Sequence, residues 1–419
     1  PHITDEIKRR MTLLGDTAYD IIITELGGTV GDIESLPYLE ALRQLRMELG
    51  HKNAVSVHLT LIPYLSAAQE LKTKPTQHSV KELLETGIQP DILVCRTEKA
   101  ISDEIRVKLA LFCNVKKNCV IEAIDASSIY DVPILMQEEK LDIRVLEKLG
   151  LKSQKKPELK KWKIFLEHLK KPKHEVKIGL IGKYNELPDA YKSIYESFVH
   201  SGAANYTKVR VVAIHSEDLE EKKSYKTHLE GLDGLLIAPG FGERGIQGKI
   251  NAIQYAREKK IPFFGICLGM QCASVEFARN VLKIKDASST EVNPNTKNPI
   301  IDMLPEQRKI KIKGGTMRLG AYPCQLKENT IAFKAYHKKY IAERHRHRYE
   351  FNNKYIKLFE KNGMVISGIN PDRNLVEIIE LKDHPWFVGV QFHPELKSTV
   401  EKPHPLFVDF VKACVQNKK

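Results

Sequence analysis

Apolar residues in the first 150 positions fall into short runs rich in β-branched side chains. These runs are separated by stretches with apolar residues every three or four positions. The runs are typical of strands and the spaced stretches are typical of helices. The predicted strands are 19–24, 54–61, 91–96 and 119–124, and the predicted helices are 36–49, 80–86 and 102–112. Strands that alternate with helices predict βαβ units and a mostly parallel sheet.

The same alternation returns after position 175. The predicted parallel strands are 177–181, 209–214, 232–238 and 262–266, and the predicted helices include 191–201 and 249–259. Two later runs, 309–326 and 376–392, have short turns between β-branched stretches and favour antiparallel strands.

These patterns predict an α/β protein with two domains. The first is a parallel-sheet domain at 1–151, and the second is an α/β domain at 176–419. The stretch 152–175 between them holds lysines, prolines and one amphipathic patch, which predicts a linker carrying a short helix.

Composition is typical of a globular protein, with 42% hydrophobic and 28% charged residues among 419. No apolar run approaches the ~20 residues that a membrane helix needs, and no secretory signal opens the chain. The seven cysteines show no Cys-x-x-Cys spacing, which favours reduced thiols and a cytoplasmic location. The opening residues, 1–6, have the pattern of a strand end entering a helix, so we expect a further N-terminal segment before them.

Lysine and arginine exceed aspartate and glutamate by 66 − 53 = 13. An excess of positive charge can favour the binding of nucleic acids, nucleotides or acidic membranes. Nine lysines crowd positions 152–173, however, and a solvated linker is the simpler interpretation of that run. A nucleic-acid-binding protein remains an alternative, although no helix-turn-helix or aromatic-basic platform favours it.

The feature with the clearest chemistry is Cys267, which lies between two glycines directly after the apolar run 261–264. This arrangement is similar to the Gly-x-Ser-x-Gly elbow of hydrolases, with sulfur as the nucleophile. The following helix would direct its positive end at the sulfur and lower the pKa of the thiol. A lone cysteine is usually a small buried hydrophobe, so Cys267 needs support from other segments.

Two other segments supply that support. His393 and Glu395 follow a predicted strand, so the carboxylate could orient the imidazole and the imidazole could activate the thiol. The loop 238–242 follows another strand and could offer backbone N–H groups to an oxyanion. A lone histidine is more often structural, but beside this cysteine a catalytic role is favoured.

Together, residues 176–410 resemble a class I, triad-type glutamine amidotransferase. The resemblance implies Cys267 as nucleophile, His393 as general base and acid, and Glu395 as the residue that orients it. It implies the glutamine-binding residues Gly240, Leu268, Gly269, Met270, Gln271, Glu291 and Arg348. Glu291 and Arg348 would hold the α-amino and α-carboxylate groups of glutamine.

The oxyanion loop departs from the common pattern of that family. Ala238-Pro239-Gly240-Phe241 stands where many members have Pro-Gly-Gly-Phe. A proline has no N–H, so the remaining donors are expected to be Gly240 and Leu268.

Six dispersed segments narrow the resemblance to the CTP synthase family, over the entire chain. They are 25–35, 72–79, 111–115, 182–184, 187–191 and 344–350. The glycines of 27–31 would let the backbone approach a phosphate at the carboxyl edge of a parallel sheet. The resemblance implies that Glu25 helps to bind Mg²⁺. It implies the nucleotide-binding residues Asp32, Ile33, Glu34, Lys72, Thr73, Lys74, Pro75, Thr76, Gln77, Lys108 and Asp125.

The resemblance further implies the ATP- and Mg²⁺-dependent amination of UTP to CTP, a ligase reaction of pyrimidine biosynthesis. Ammonia from glutamine would travel inside the protein, GTP would be an allosteric activator and CTP an inhibitor. The first domain would have the P-loop, dethiobiotin-synthetase-like fold, and the protein would be a homotetramer. Neither a nucleic-acid nor a membrane partner is expected.

The chain contains no Gly-x-x-x-x-Gly-Lys-Ser/Thr sequence. We therefore expect the ATP-binding phosphate loop upstream of Pro1, an incomplete P-loop domain, and doubtful synthase activity for this chain with glutaminase activity retained. One enzymatic alternative is a glutaminase subunit that serves another acceptor, although the segment 72–79 disfavours it.

Overall fold

The computed structural model describes residues 1–15, 17–152, 155–184, 186, 188–221, 227–303 and 317–418. These residues form two compact units, Pro1–Pro157 and Glu158–Lys419. No helix in the part described combines the length and hydrophobicity that a membrane crossing requires.

The first unit is built on a small parallel sheet. Its strands are β1 (Val57–Ile62), β2 (Tyr64–Leu65), β3 (Glu70–Leu71), β4 (Ile92–Thr97) and β5 (Val120–Ile124). Its helices are α1 (His2–Met11), α2 (Leu36–Leu49), α3 (Lys74–Glu85), α4 (Asp103–Phe112), α5 (Val132–Glu138) and α6 (Leu141–Lys148). Strands β1, β4 and β5 pair in parallel in the order β1-β4-β5, and β2 and β3 form a short antiparallel pair.

Apolar side chains cover both faces of this sheet. One cluster joins Ile62, Leu93 and Val120 to Val80 of α3 and Leu109 of α4. A second cluster on the other face consists of Ile92, Val94, Cys119 and Ile121. Burial of both faces is the expected consequence of βαβ crossovers, which place helices over the sheet.

One predicted strand is wrong. Residues 19–24 lie outside helices and strands, and their side chains are exposed, with Ile23 at 93%. Among the described residues, the edge strand β1 pairs only with β4. A β-rich run becomes a strand only where a neighbouring strand completes its hydrogen bonds, so tertiary pairing overrides local propensity here. The other strands and helices predicted for this unit are confirmed with shifted ends, α3 beginning at Lys74 because Pro75 suits the first turn of a helix.

The second unit contains, among its described residues, a larger mixed sheet and a separate three-stranded sheet. Its strands are β6 (His174–Gly182), β7 (Thr207–His215), β8 (Gly234–Ile237), β9 (Phe263–Ile266), β10 (Ala287–Ser289), β11 (Asn298–Met303), β12 (Arg318–Leu326), β13 (Tyr340–His347), β14 (Tyr349–Phe351), β15 (Met364–Asn370), β16 (Leu375–Leu381) and β17 (Phe387–Val390). Its helices are α7 (Lys160–Lys170), α8 (Lys192–Ala204), α9 (Ile246–Lys259), α10 (Leu268–Asn280), α11 (Ile331–Tyr336), α12 (Ile356–Lys361) and α13 (Pro405–Asn417).

Within the described residues, nine strands pair in the order β13-β12-β15-β16-β17-β9-β8-β6-β7. The segment from β17 to β7 is parallel and the segment from β13 to β17 is antiparallel. The four predicted parallel strands are therefore confirmed. The predicted run 376–392 is antiparallel at β16, but β17 also pairs in parallel with β9. The part of the run 309–326 before position 317 lies outside the described residues.

The predicted linker helix is present as α7, and it packs on α8 of the second unit. Phe165 and Leu166 are buried, and the ring of Phe165 lies 6.2 Å from that of His200. The helix therefore contributes to the core of this unit rather than to a solvated connection.

Phe264 on β9 offers a test of the central packing. Its ring is fully buried and packs on three others, with centroid distances of 5.2 Å to Phe407, 5.4 Å to Trp386 and 5.6 Å to Phe410. Phe264→Ala should lower the free energy of unfolding of this unit by about 3–5 kcal/mol. Both tryptophans lie in this unit, so urea unfolding followed by tryptophan fluorescence measures the loss. The exposed Leu319→Ala is the control, and an equal effect of both variants would contradict the assignment.

Candidate active site

A sharp elbow places Cys267 between β9 and α10. Its backbone angles are φ 52° and ψ −100°, in the left-handed region that non-glycine residues rarely adopt. The Cys267 N–H donates to the carbonyl of Val390 at 2.7 Å, which ties the elbow to the end of β17. The thiol is buried, as are those of the six other cysteines, all of which are free.

Both glycines of the elbow are required by close backbone contacts. A Cβ on Gly265 would lie 2.8 Å from the carbonyl carbon of Gly269, and a Cβ on Gly269 would lie 2.6 Å from the oxygen of Ile237. Only glycine allows this approach, so the Gly-x-Cys-x-Gly pattern reflects the passage of α10 across the ends of the strands.

The sheet order brings the predicted triad together. Strand β17 pairs in parallel with β9, and Val390 lies opposite Ile266, so His393 follows the strand next to the elbow. His393 Nδ1 lies 2.7 Å from Glu395 Oε1, and the His393 N–H donates to the carbonyl of Arg344 at 2.8 Å. The other nitrogen, Nε2, is buried without a hydrogen-bond partner among the described residues, which leaves it available to the thiol.

Charge on the His393 ring is strongly favoured. Burial lowers the pKa of His393, but the interactions with Cys267 and with the Glu395 carboxylate outweigh it and raise the pKa to about 10. An imidazolium that stays charged well above neutral pH is suited to pair with a thiolate and to protonate a leaving amine.

The loop after β8 lies beside the elbow on the other side. A Cβ on Gly240 would be 3.5 Å from Leu268 Cδ2, so the two predicted oxyanion residues are neighbours. The N–H of Gly242 donates to Glu291 Oε1 at 2.9 Å, which brings Glu291 to the same loop.

The remaining glutamine-binding candidates converge from α10 and from β14. Gln271 Nε2 donates to the carbonyl of Tyr349 at 3.0 Å, and Gly269 and Met270 precede it in the buried first turn of α10. Burial raises the pKa of the Tyr349 phenol, Glu291 raises it further, and Arg348 lowers it through charge and a hydrogen bond. Arg348 and Glu291 therefore both lie close to Tyr349.

Several residues at the site were missed by the sequence analysis. Gln391 Nε2 lies 3.7 Å from Cys267 Sγ, and Gln391 Oε1 accepts from Gln271 at 3.3 Å. Gln391 is two residues before His393 and directly follows β17, so its place at a strand end was the available signal.

A buried ionic network behind the site was also missed. Arg318 donates to Glu350 (3.0 Å) and Glu377 (2.8 Å), His345 lies 2.7 Å from Glu377, and His347 lies 2.8 Å from Glu350. In β13, His345 and His347 point inward while Arg344 and Arg346 are exposed. This period-two alternation in the basic run was a detectable signal.

In the first unit, the predicted nucleotide residues 72–77 follow the carboxyl end of β1 and open α3. Three of them form internal hydrogen bonds: Thr76, which is fully buried, has its Oγ1 2.7 Å from Thr60 Oγ1, and Thr73 accepts from Gln77 at 3.1 Å. Lys74 and Pro75 are exposed and Lys72 pairs with Glu70. Asp125 is exposed at the end of β5, where its N–H donates to Thr97. These residues share the carboxyl edge of the sheet.

The remaining metal- and nucleotide-binding candidates of the first unit lie in other segments of the chain. Glu25, Asp32, Ile33 and Glu34 are exposed, and Lys108 is exposed on α4. The described residues include no ion pair between these acids and Lys72 or Lys74, and no cluster of three His, Cys, Asp or Glu that could hold a metal. Mg²⁺ is commonly held by one or two carboxylates together with substrate phosphates. A single carboxylate such as Glu25 is therefore compatible with a Mg²⁺ ion that arrives with the nucleotide.

Comparison with known proteins agrees with the geometry of the second unit. Residues 186–413 match the family model described as Glutamine amidotransferase class-I. A solved structure titled Trypanosoma brucei CTPS glutaminase domain with bound acivicin is 35% identical, with a TM-score of 0.54, over 57% of this chain and 94% of that one. The second unit is thus a glutaminase of the class I type.

The match of the first unit indicates which molecule receives the ammonia. Residues 1–151 match the family model described as CTP synthase N-terminus. The CTP synthase of Cytophaga hutchinsonii is 64% identical over 99% of this chain and 77% of its own length. That of Flavobacterium psychrophilum is 62% identical over 100% of this chain and 78% of its own length. The chain belongs to the CTP synthase family.

The pair His393–Glu395 offers a test of the site's electrostatics. In Glu395→Gln the pKa of His393 should fall below about 10, because one of the interactions that raises it is lost. An NMR titration of the ring, assigned by its loss in His393→Gln, measures the shift. The pKa of His393 in the folded protein is raised above its ordinary value of 6.5. Its contribution to the free energy of unfolding is therefore fully present below pH 6.5 and is lost as pH rises through about 10. An unchanged pKa would contradict this, and the exposed Glu401→Gln is the control.

Proposed function

We propose that this chain hydrolyses glutamine at Cys267 and that the ammonia aminates UTP to CTP at the first unit. The observation that carries the proposal is the buried cysteine elbow beside the His393–Glu395 pair, in a chain that matches CTP synthases over nearly all of its length. A glutaminase for a different acceptor is disfavoured because residues 1–151 match the CTP synthase N-terminus.

In the glutaminase reaction, the Cys267 thiolate attacks the side-chain amide carbon of glutamine. The N–H groups of Gly240 and Leu268 hold the tetrahedral oxyanion, a type of contact that is worth roughly 3 kcal/mol of barrier. His393 donates its proton to the departing nitrogen, and ammonia leaves. His393 then takes a proton from water, which cleaves the γ-glutamyl thioester and releases glutamate.

Glutamine is oriented by groups of opposite charge. Glu291 binds its α-ammonium and Arg348 its α-carboxylate, since a guanidinium matches a carboxylate in charge and shape. Gly269, Met270 and Gln271 line the pocket from the first turn of α10. The bond of Gln271 to the Tyr349 carbonyl supports this arrangement, because it connects α10 to the strand that follows Arg348.

In the first unit, the triphosphate of UTP binds at the start of α3, where Lys72 and Lys74 supply positive charge and Thr73, Pro75, Thr76 and Gln77 shape the loop. Asp32, Ile33 and Glu34 recognise the base and sugar, and Lys108 and Asp125 are further nucleotide contacts. Glu25 would hold Mg²⁺, and the ion would neutralise phosphate charge when bound. ATP phosphorylates the uracil O4, and ammonia displaces that phosphate.

The proposed regulation and oligomeric state follow from the resemblance to the CTP synthase family. GTP activates glutamine hydrolysis, CTP inhibits, and the protein is a homotetramer in the cytoplasm. The exposed apolar side chains Val107, Leu111 and Phe112 on α4 are consistent with a subunit contact in the first unit.

Removal of the nucleophile tests the glutaminase assignment. Cys267→Ala should reduce glutamine hydrolysis to background, because it removes the sulfur that forms the thioester, while the affinity for UTP is unchanged. Glutamate release and UTP titration calorimetry measure the two properties. Cys119 is a buried cysteine of the first unit, so the control variant Cys119→Ala should hydrolyse glutamine at the wild-type rate. Hydrolysis that survives in Cys267→Ala would refute the assignment.

The nucleotide assignment is tested at Lys72, just ahead of α3. Lys72→Ala should weaken UTP binding about 10-fold or more, since a charged hydrogen bond contributes roughly 1.5–3 kcal/mol. Lys81→Ala is the matched control because its side chain is 78% exposed and lies about two turns into α3. Equal UTP dissociation constants for the two variants, measured by calorimetry, would exclude Lys72 from the site.

A further inference from the structure

Two lysines are buried behind the loop Ala238–Gly242, here called the oxyanion loop. Lys249 is on α9 and is fully buried, and Lys183 follows β6 and is 6% exposed. Lysine is rarely buried without a partner because its charge is expensive to remove from water. Neither lysine has a role in the reaction described above.

Both ammonium groups bind carbonyls of the oxyanion loop. Lys249 Nζ donates to the Ala238 oxygen at 2.9 Å. Lys183 Nζ donates to the oxygens of Phe241 at 2.8 Å and Gly242 at 2.7 Å. The two lysines therefore anchor the loop on both sides of Pro239 and Gly240.

The loop needs such anchors for its orientation. Pro239 has no N–H, so Gly240 supplies the donor on this side of the oxyanion, and glycine is the most flexible residue of the backbone. Carbonyls drawn toward the lysines restrict the rotation of the peptide planes between them. An oxyanion donor is effective only when it is held in place before the charge develops.

The position of Lys249 is itself fixed by packing. A Cβ on the preceding Gly248 would lie 1.6 Å from the carbonyl oxygen of Ser216, so α9 is seated directly on the segment after β7. Burial lowers the pKa of Lys249 to about 8, an effect that Cys272 and Cys267 partly offset and Lys183 reinforces. Lys249 is therefore held in one place, away from water.

We propose that Lys249 and Lys183 are positioning residues that clamp the oxyanion loop from both ends and hold the Gly240 N–H toward the tetrahedral oxyanion of glutamine hydrolysis. They act through the carbonyls of Ala238, Phe241 and Gly242. The proposal rests on the glutaminase function proposed above.

The test is Lys249→Met in the full chain, with four quantities measured: kcat and KM of glutamine hydrolysis, the alkylation rate of Cys267 and the melting temperature. The kcat of glutamine hydrolysis should fall about 10- to 1000-fold, as when one oxyanion donor is lost, while KM changes less than about threefold. Alkylation of Cys267 by iodoacetamide forms no tetrahedral oxyanion, so its rate should stay within about twofold. A general loss of structure would instead lower both rates and the melting temperature.

Matched variants separate the clamp from other roles. Lys259 is exposed at the end of the same helix, so Lys259→Met should leave all four quantities unchanged. Lys249→Gln, which keeps an N–H donor, should recover part of the kcat. Lys183→Met should lower kcat with normal alkylation, and the double variant should lose less than the product of the single losses because both lysines act on one loop.

The results distinguish the clamp from the function on which it rests. A wild-type chain that hydrolyses no glutamine overturns both. An active wild type with a folded Lys249→Met of normal kcat overturns the clamp alone. Where Lys249→Met does not fold, Lys183→Met decides: a reduced kcat with normal alkylation supports the clamp, and a normal kcat overturns it.

Discussion

The active site depends on one backbone conformation, the left-handed φ of Cys267. A non-glycine residue in such a region costs about 1–3 kcal/mol, and it persists only where the surroundings enforce it. Here the enforcement comes from the hydrogen bond of Cys267 to Val390 and from the two glycines that let α10 approach the strands. The strained turn keeps the sulfur at the carboxyl edge of the sheet, where the neighbouring strand ends supply the other groups.

Strand order then determines which groups meet the sulfur. Strands β8 and β17 flank β9, so the oxyanion loop arrives from one side and His393 from the other. Behind β17, the network of Arg318, Glu350 and Glu377 links β12, β14 and β16 with little exposure to water. Buried ion pairs often add little stability because desolvation offsets their attraction. Their effect here is geometric, because Glu377 also accepts the N–H of Gln391 through its backbone.

The cysteine elbow could be predicted from the sequence because its signals are local: two glycines, an apolar run and a following helix. The pairing of His393 with Glu395 could be predicted for the same reason. Gln391 could not, because its role depends on which strand ends are adjacent in the sheet. Lys249 could not, because only the structure shows that its side chain is buried against the Ala238 carbonyl. The run 19–24 has strand-forming residues, but pairing decides its conformation. The oxyanion loop itself was predictable, whereas its anchors were not: Lys183 follows β6, far from the loop in the chain, and Lys249 is close by on α9 but carries no sequence signal for such a contact.

Helix α7, at the start of the second unit, has a practical consequence for dissecting this protein. Because α7 buries Phe165 and Leu166 against α8, a fragment that starts at Val176 would leave an apolar groove uncovered and would be prone to self-association. A separately produced glutaminase half should begin ahead of Lys160. The lysines of α7 then remain at the fragment's water-facing side, where like charges discourage precipitation.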